Sequence, residues 1–212
     1  MKYLRVFFGC FMSMIILSGI EAKAELTYCS PGFDDSLSVT IYIGENQCPY
    51  RVKICYTCAV STSSAGLIRV NSYAPLDPTN CDPEMSETEV LNAIYAQVYD
   101  DAFVQANMCN NMPPCDIYPN GIQYEMFWWN CWSKWTQPDP PYTVWRVPCH
   151  EPNQAYCWEL WIFCWDGSQY KHTMLQQSQS GDVHCQENYE IPDDPDPGET
   201  AGCWQYHTPC DN

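Results

Sequence analysis

The stretch SLSVTIYIGENQCPYRVKICYTC at 36–58 decides the fold class. Apolar and polar residues alternate from Leu37 to Ile43, and they alternate again from Tyr50 to Tyr56. A period of two is typical of half-buried strands. The four residues between the two runs, Gly44 to Gln47, suit a hairpin loop. The stretch therefore predicts an antiparallel β-hairpin that carries Cys48, Cys55 and Cys58.

Further strands are predicted on both sides of one helical region. A third strand covers Leu67 to Tyr73, and the second half of the chain holds aromatic-rich segments that suit a pleated surface. We place these later strands at about 122–132, 143–147, 156–165 and 169–175. The expected fold is mainly β (α+β), with antiparallel strands crosslinked by disulfides.

One substantial helix is predicted around residues 87–108. Ser86 followed by Glu89 forms a capping-box pattern, and apolar residues then recur along one helical face. The segment holds no Gly or Pro before Pro113. We expect this helix to pack on the sheet and to be crosslinked near its C-terminal end, where Cys109 and Cys115 lie; a partner-binding helix is the alternative.

The cysteine count predicts a disulfide framework. The chain has 15 cysteines, and Cys10 lies in a segment that resembles a signal peptide. An even number remains, as expected for complete pairing in an exported protein. The expected disulfide cysteines are Cys29, Cys48, Cys55, Cys58, Cys81, Cys109, Cys115, Cys131, Cys149, Cys157, Cys164, Cys185, Cys203 and Cys210.

The first 24 residues have the three parts of a secretory signal. Lys2 and Arg5 precede an apolar run from Val6 to Ile20, and Ala22-Lys23-Ala24 is a small-x-small cleavage site. The run is shorter than the roughly 18–20 residues that a membrane span needs. We expect cleavage near Ala24-Glu25 and a secreted, cell-surface or periplasmic mature protein without membrane insertion.

The charge balance excludes some partners. The chain carries 26 acidic and 9 basic residues, a net charge of −17. Such a surface repels phosphate backbones, so nucleic acid is a poor partner. We expect the chain to bind itself, another extracellular protein or a glycan, and we expect no cofactor.

Composition shifts predict the domain organisation. Residues 25–189 form one disulfide-rich domain, with two halves at 25–115 and 116–189 as an alternative. The segment EIPDDPDPGET at 190–200 is acidic and Pro-rich, as in exposed linkers. A cysteine-containing tail, either a small loop or an attachment to the domain, covers 201–212.

Cysteine spacing raises two further hypotheses. Cys55-Tyr56-Thr57-Cys58 is a CxxC, but it ends a strand and no second CxxC completes a zinc site, which favours structural disulfides with separate partners. The segments at 48–55, 124–131 and 157–164 form a weak internal repeat. Cysteines seven residues apart on a strand point to opposite faces, so Cys48 cannot pair with Cys55, nor Cys157 with Cys164.

Aromatic residues are concentrated in one part of the sequence. Eight tryptophans and several tyrosines crowd the strands at 124–165, and alternation places rings on both strand faces. Each ring therefore belongs either to a thin core or to a binding surface. The candidate binding residues are Trp128, Trp129, Trp132, Trp135, Trp145, Trp158, Trp161 and Trp165.

Three function classes follow from these features. We expect first a non-enzymatic extracellular protein with a structural, assembly or adhesive role. A carbohydrate- or protein-binding module that uses strands 124–165 is the alternative. A secreted hydrolase ranks below both: Glu125, Glu159 and Asp166 lie among aromatics, but a glycosidase needs two carboxyls that face each other.

Overall fold

The structure, a computed structural model, describes residues 29, 32–61, 63–81, 85–110, 112–149, 155–181, 185 and 191–211. It is mainly β, with 47% strand and 15% helix, and most strand pairs are antiparallel. The fold class expected from the sequence is therefore confirmed.

Nine strands and two α-helices lie in the described part of the chain. They are β1 (Asp35–Ile43), β2 (Cys48–Thr57), β3 (Gly66–Pro75), α1 (Glu87–Val98), α2 (Asp101–Asn107), β4 (Ile122–Trp129), β5 (Cys131–Thr136), β6 (Val144–Pro148), β7 (Tyr156–Trp165), β8 (Tyr170–Ser180) and β9 (Thr200–Gln205).

All nine strands belong to one sheet. Six of them lie in the order β1-β2-β3-β4-β7-β8, and only β3 and β4 run parallel within this row. The other three continue from β3 in the order β6-β5-β9, through the pair Tyr73 and Arg146. Both β4 and β6 therefore lie along the same edge of β3, one after the other.

The predicted N-terminal hairpin is confirmed. β1 and β2 pair antiparallel from Asp35 opposite Tyr56 to Ile43 opposite Cys48. The turn at 44–47 closes with a bond from the Gln47 amide to the Gly44 carbonyl. Alternation buries Ile41 and Val52 on the same face, because facing residues of an antiparallel pair share a side.

The predicted single helix is two helices. The capping box is present, since the Ser86 hydroxyl accepts from the Glu89 amide and the Glu89 carboxylate accepts from the Ser86 amide. The helix ends at Val98, however, and the Asp100 side chain caps a new helix by accepting from the Phe103 amide at 3.0 Å. The apolar stripe runs on across this break, which is why the pattern indicated one element.

Two strand predictions need new boundaries, and one further strand was not predicted. The run at 122–132 divides at Asn130 into β4 and β5, which pair with different strands. β8 extends to Ser180, five residues beyond the predicted end at 175. Residues 200–205 form β9, which pairs with β5.

The hydrophobic core lies on one side of the sheet, which we call the inner face. Val90, Leu91 and Ile94 of α1 are buried against strand residues such as Ile54 and Ile68. Gly66 permits close packing of β3 on β4, because a Cβ atom there would lie 2.6 Å from the Thr57 carbonyl oxygen and closer still to the Tyr124 ring. The opposite side of the sheet is the outer face.

The acidic segment predicted as a linker lies against β5. The Lys134 ammonium contacts the Asp194 carboxylate at 2.7 Å, and the Thr136 hydroxyl donates to the Pro195 carbonyl at 2.7 Å. The Gly198 amide also donates to the Thr136 carbonyl. Residues 191–199 are thus held by specific contacts that lead into β9.

The fourteen expected cysteines form seven disulfides. The pairs are Cys29–Cys55, Cys48–Cys81, Cys58–Cys109, Cys115–Cys164, Cys131–Cys185, Cys149–Cys203 and Cys157–Cys210. The two cysteines of the CxxC have separate partners, and no bridge joins two cysteines of the same strand, both as predicted. Cys58–Cys109 attaches the end of α2 to the end of β2.

The predicted signal peptide at 1–24 lies outside the described residues. Among those described, no helix combines the length and the apolar character that a membrane crossing requires.

Candidate functional site

The eight candidate tryptophans divide between the core and half-buried positions. Trp128, Trp132 and Trp135 are buried, and Trp132 packs edge-on against Tyr73. The other five are half-buried: Trp129, Trp145, Trp158, Trp161 and Trp165. No tryptophan in the described part of the chain reaches the exposure of the surface residues Tyr42 or Ile117.

A cleft opens on the inner face between the helices and strands β7 and β8. Its outer part is a cavity of about 390 Å³ with Asn92, Asp100 and Asp101 on its walls. Its inner part is a cavity of about 70 Å³ with Met126 and Phe163 on its walls. Tyr99, Trp128 and His172 line both parts, so we treat them as one aromatic cleft.

Glu159 contributes a carboxylate to the inner part of the aromatic cleft. The residue is only 5% exposed. One carboxylate oxygen accepts from the Trp161 indole nitrogen at 2.7 Å, and the other accepts from the Gln177 amide at 2.9 Å. Desolvation by burial raises the pKa of Glu159, although these two hydrogen bonds favour its charged form.

The mouth of the aromatic cleft holds an aspartate–histidine pair. Asp101 Oδ2 lies 3.0 Å from His172 Nδ1, which links α2 to β8. The His172 ring packs edge-on against Trp161, with the ring centroids 5.1 Å apart. The break between α1 and α2 creates this geometry, because it places Asp101 at the start of a helix that packs on β8.

The outer face carries a second set of rings. Register places Arg69, Phe127 and Trp158 in one row across β3, β4 and β7, and Trp129 faces Tyr156 in the next row. The Arg69 guanidinium lies 5.3 Å from the Trp129 ring, within the range of a cation–π contact. Burial lowers the pKa of Arg69 to about 10.

Strand β8 forms an open edge of the sheet. In the described residues it pairs only with β7, and seven of its eleven residues, 171–177, are exposed. Met174 and Leu175 are 45% and 49% exposed. The turn into β8 is well formed, because Asp166 accepts from the Gln169 and Ser168 amides, and these bonds hold the pKa of Asp166 well below its usual range.

The three carboxylates considered for hydrolysis do not converge. Glu125 faces Leu160 on the outer face, whereas Glu159 faces Met126 on the inner face. Asp166 lies in the β7–β8 turn, at the end of the strand. Nor do the described residues contain a group of three His, Cys, Asp or Glu side chains suited to a metal ion.

Comparisons with protein-family models, with curated proteins and with solved structures gave no match to this chain. The features of this protein that bear on its function are therefore the aromatic cleft, the outer face and the β8 edge.

Sequence reasoning missed how the residues of the aromatic cleft come together. Glu159 and Asp101 are far apart in the chain, and the apolar pattern places Tyr99 within one continuous helix. One signal was present: Tyr99-Asp100-Asp101 contains the aspartate that caps α2, and Asp is a preferred N-cap residue.

Proposed function

We propose that this protein is a non-enzymatic, extracellular protein with an assembly role, and that it associates with a second copy of itself through the open edge of β8. The observation that carries the proposal is the exposure of seven consecutive residues of β8, 171–177. A long, exposed edge strand presents unpaired backbone N–H and C=O groups, which favour pairing with another strand.

The sequence of β8 supports this role. The run TMLQQSQS at 173–180 contains no charged residue, in a chain whose net charge is −17. Charges on an edge strand are a common protection against pairing, and in β8 the lysine is confined to the N-terminal end, at Lys171. Two copies of an acidic protein repel each other least where neither carries carboxylates, which favours β8 as the contact.

A non-enzymatic role agrees with the disposition of the acidic residues. Glu125 and Glu159 lie on opposite faces of the sheet, so they cannot flank one glycosidic bond. The extracellular location is supported by the seven disulfides, which persist in oxidising compartments.

Replacing Leu175 with lysine is expected to weaken self-association at least about tenfold, which is about 1.4 kcal/mol. In the assembled edge, the new ammonium group would be buried, or it would lie opposite the same ammonium group of the second copy. Leu175 is 49% exposed, so the monomer should keep its fold. Analytical ultracentrifugation of the mature protein over a range of concentrations measures the effect.

The matched control is Ile117→Lys, which adds the same charge at a residue that is 64% exposed outside the strands. It should associate like the unmodified protein. A second variant, Thr40→Lys, adds the charge to β1, the strand at the other end of the six-strand row. A protein that stays monomeric at all concentrations, or that loses association only in Thr40→Lys, would contradict the proposal for β8.

A second candidate function is glycan binding by the outer face. It is favoured by the half-buried rings of Phe127, Trp129, Tyr156 and Trp158, which form adjacent cross-strand pairs on a surface that neither helix covers. Such rings can stack on sugars. A glycan array tested with unmodified protein and with Trp158→Ala separates this function from assembly, since the substitution leaves β8 unchanged.

A further inference from the structure

Within the described residues, the buried carboxylate of Glu159 has no ion-pair partner. Glu159 is 5% exposed, yet no Lys, Arg or His in the described part of the chain forms an ion pair with it. Its two hydrogen bonds come from neutral groups, the Trp161 indole and the Gln177 amide. Buried carboxylates are normally paired with a cation, because the desolvation of an isolated charge is costly.

The walls around Glu159 suit a cation. Tyr99, Trp128, Trp161 and Phe163 all line the inner part of the aromatic cleft. The negative face of an aromatic ring attracts an ammonium group, and cages of such rings bind alkylated ammonium ions. Asp100 and Asp101 add carboxylates at the outer part, and the described residues that line the two parts include no lysine or arginine.

We propose that the aromatic cleft binds an alkylammonium group, which enters past Asp101 and His172 and is held between the rings and the Glu159 carboxylate. The site is independent of the proposed pairing of β8, although β8 contributes His172 and Gln177 to it. The ammonium can belong to a free amine or to a lysine side chain of a protein, and the chemistry that the cleft recognises is the same.

Two other ligands fit the aromatic cleft less well. A metal ion prefers several oxygen ligands, whereas Glu159 is the only carboxylate among the described residues of the inner part, which also include four aromatic rings. A sugar ring needs broad stacking surfaces and many hydrogen-bonding groups, whereas the inner part is a narrow cavity of about 70 Å³. An alkylammonium head group needs only the charge and the rings.

The test compares choline with its neutral isostere, 3,3-dimethyl-1-butanol. Trp128 and Trp161 line the aromatic cleft, so tryptophan fluorescence reports occupancy. We expect saturable quenching by choline and none by the neutral alcohol at the same concentrations. We also expect choline, but not the alcohol, to raise the thermal unfolding midpoint of the unmodified protein, because a ligand stabilises the state that it binds.

Glu159→Gln removes the charge and keeps the shape, and we expect it to weaken choline binding at least about tenfold. Glu125→Gln, on the same sheet but on the outer face, is the matched control and should bind like the unmodified protein. Equal binding of choline and the neutral alcohol, unchanged binding by Glu159→Gln, or no saturable binding and no shift in the unfolding midpoint would each overturn the proposal.

Two further probes distinguish the sources of the ammonium. Binding of n-butylammonium as tightly as a lysine-containing peptide would support a free amine as the ligand. Tighter binding of the peptide, lost when its lysine is acetylated, would support a lysine of a protein partner. Repeating the titrations with Leu175→Lys keeps this test separate from assembly, because that substitution should weaken pairing of β8 and leave choline binding intact.

Discussion

Reduction of the seven disulfides is expected to unfold the protein completely at room temperature. The bridges close loops of 26 to 54 residues, and each loop of this size contributes about 4 kcal/mol by restricting the unfolded chain. A domain is usually stable by only about 5–15 kcal/mol, so the loss of three or four bridges is enough to unfold it. Near-UV circular dichroism with and without a reducing agent measures the change, because the packed tryptophans give a signal only in the folded state.

The position of the bridges makes this loss global. Cys58–Cys109 holds the end of α2, Cys149–Cys203 holds β9, and Cys131–Cys185 attaches Cys185 to the start of β5. The control is the same protein treated with an alkylating agent but not reduced, which should keep its near-UV spectrum. If the reduced chain keeps that spectrum and still unfolds cooperatively in urea, the disulfide framework is not what stabilises the fold.

The second large effect is expected from Glu87→Ala, which should lower the free energy of unfolding by about 3–5 kcal/mol. Glu87 Oε1 accepts from two Arg146 nitrogens at 2.8 and 2.6 Å, and Oε2 accepts from the Tyr73 hydroxyl at 2.9 Å. Burial raises the pKa of Tyr73 well above its usual value, so its hydroxyl stays protonated and donates. Removing Glu87 leaves the charge of Arg146 nearly buried and unpaired.

Urea unfolding measures this effect, with Glu45→Ala in the exposed hairpin turn as the control expected to change stability by less than about 0.5 kcal/mol. The double variant Glu87→Gln, Arg146→Met should recover much of the loss, because replacing both charges leaves neither unpaired. A loss of less than about 1 kcal/mol in Glu87→Ala would show that the network contributes little to the attachment of α1 to β3 and β6.

Local patterns predicted much of the fold. The alternation in 36–58 gave β1, β2 and their turn, because one buried face and one solvated face leave a period of two. The capping box gave the start of α1. The end of α1 was missed because apolar residues continue from Val98 to Val104, so that only the capping role of Asp100 marks the break.

Long-range contacts could not be predicted from one sequence. The parallel pairing of β3 with β4 joins segments more than fifty residues apart, and no local pattern encodes it. The predicted strand ends at 175, before β8 does, because the second half of β8, QQSQS, is polar on both faces. Such a pattern suits an edge strand, in which half of the backbone hydrogen-bonding groups face away from the sheet. β9 was missed because it is short and contains Gly202.

In the candidate site, too, local features were predictable and long-range contacts were not. The sequence located the aromatic strands, but burial separated Trp132, which is fully buried, from Trp158, which is half-buried on the outer face. Nothing in the sequence distinguishes Glu159 from the other carboxylates near the aromatic residues. Strand register places it opposite Gln177 and beside Trp161. The aromatic cleft therefore depends on strand pairing and on the break between α1 and α2.

The central claim, that β8 pairs with a second copy, is tested most directly by hydrogen exchange at low and high protein concentration. Peptides from 170–180 should exchange slowly at high concentration and fast at low concentration, because the outward amides of β8 would become hydrogen-bonded only in the assembly. Peptides from β2, which is paired on both sides, should not change. Equal exchange of 170–180 at both concentrations would contradict the account.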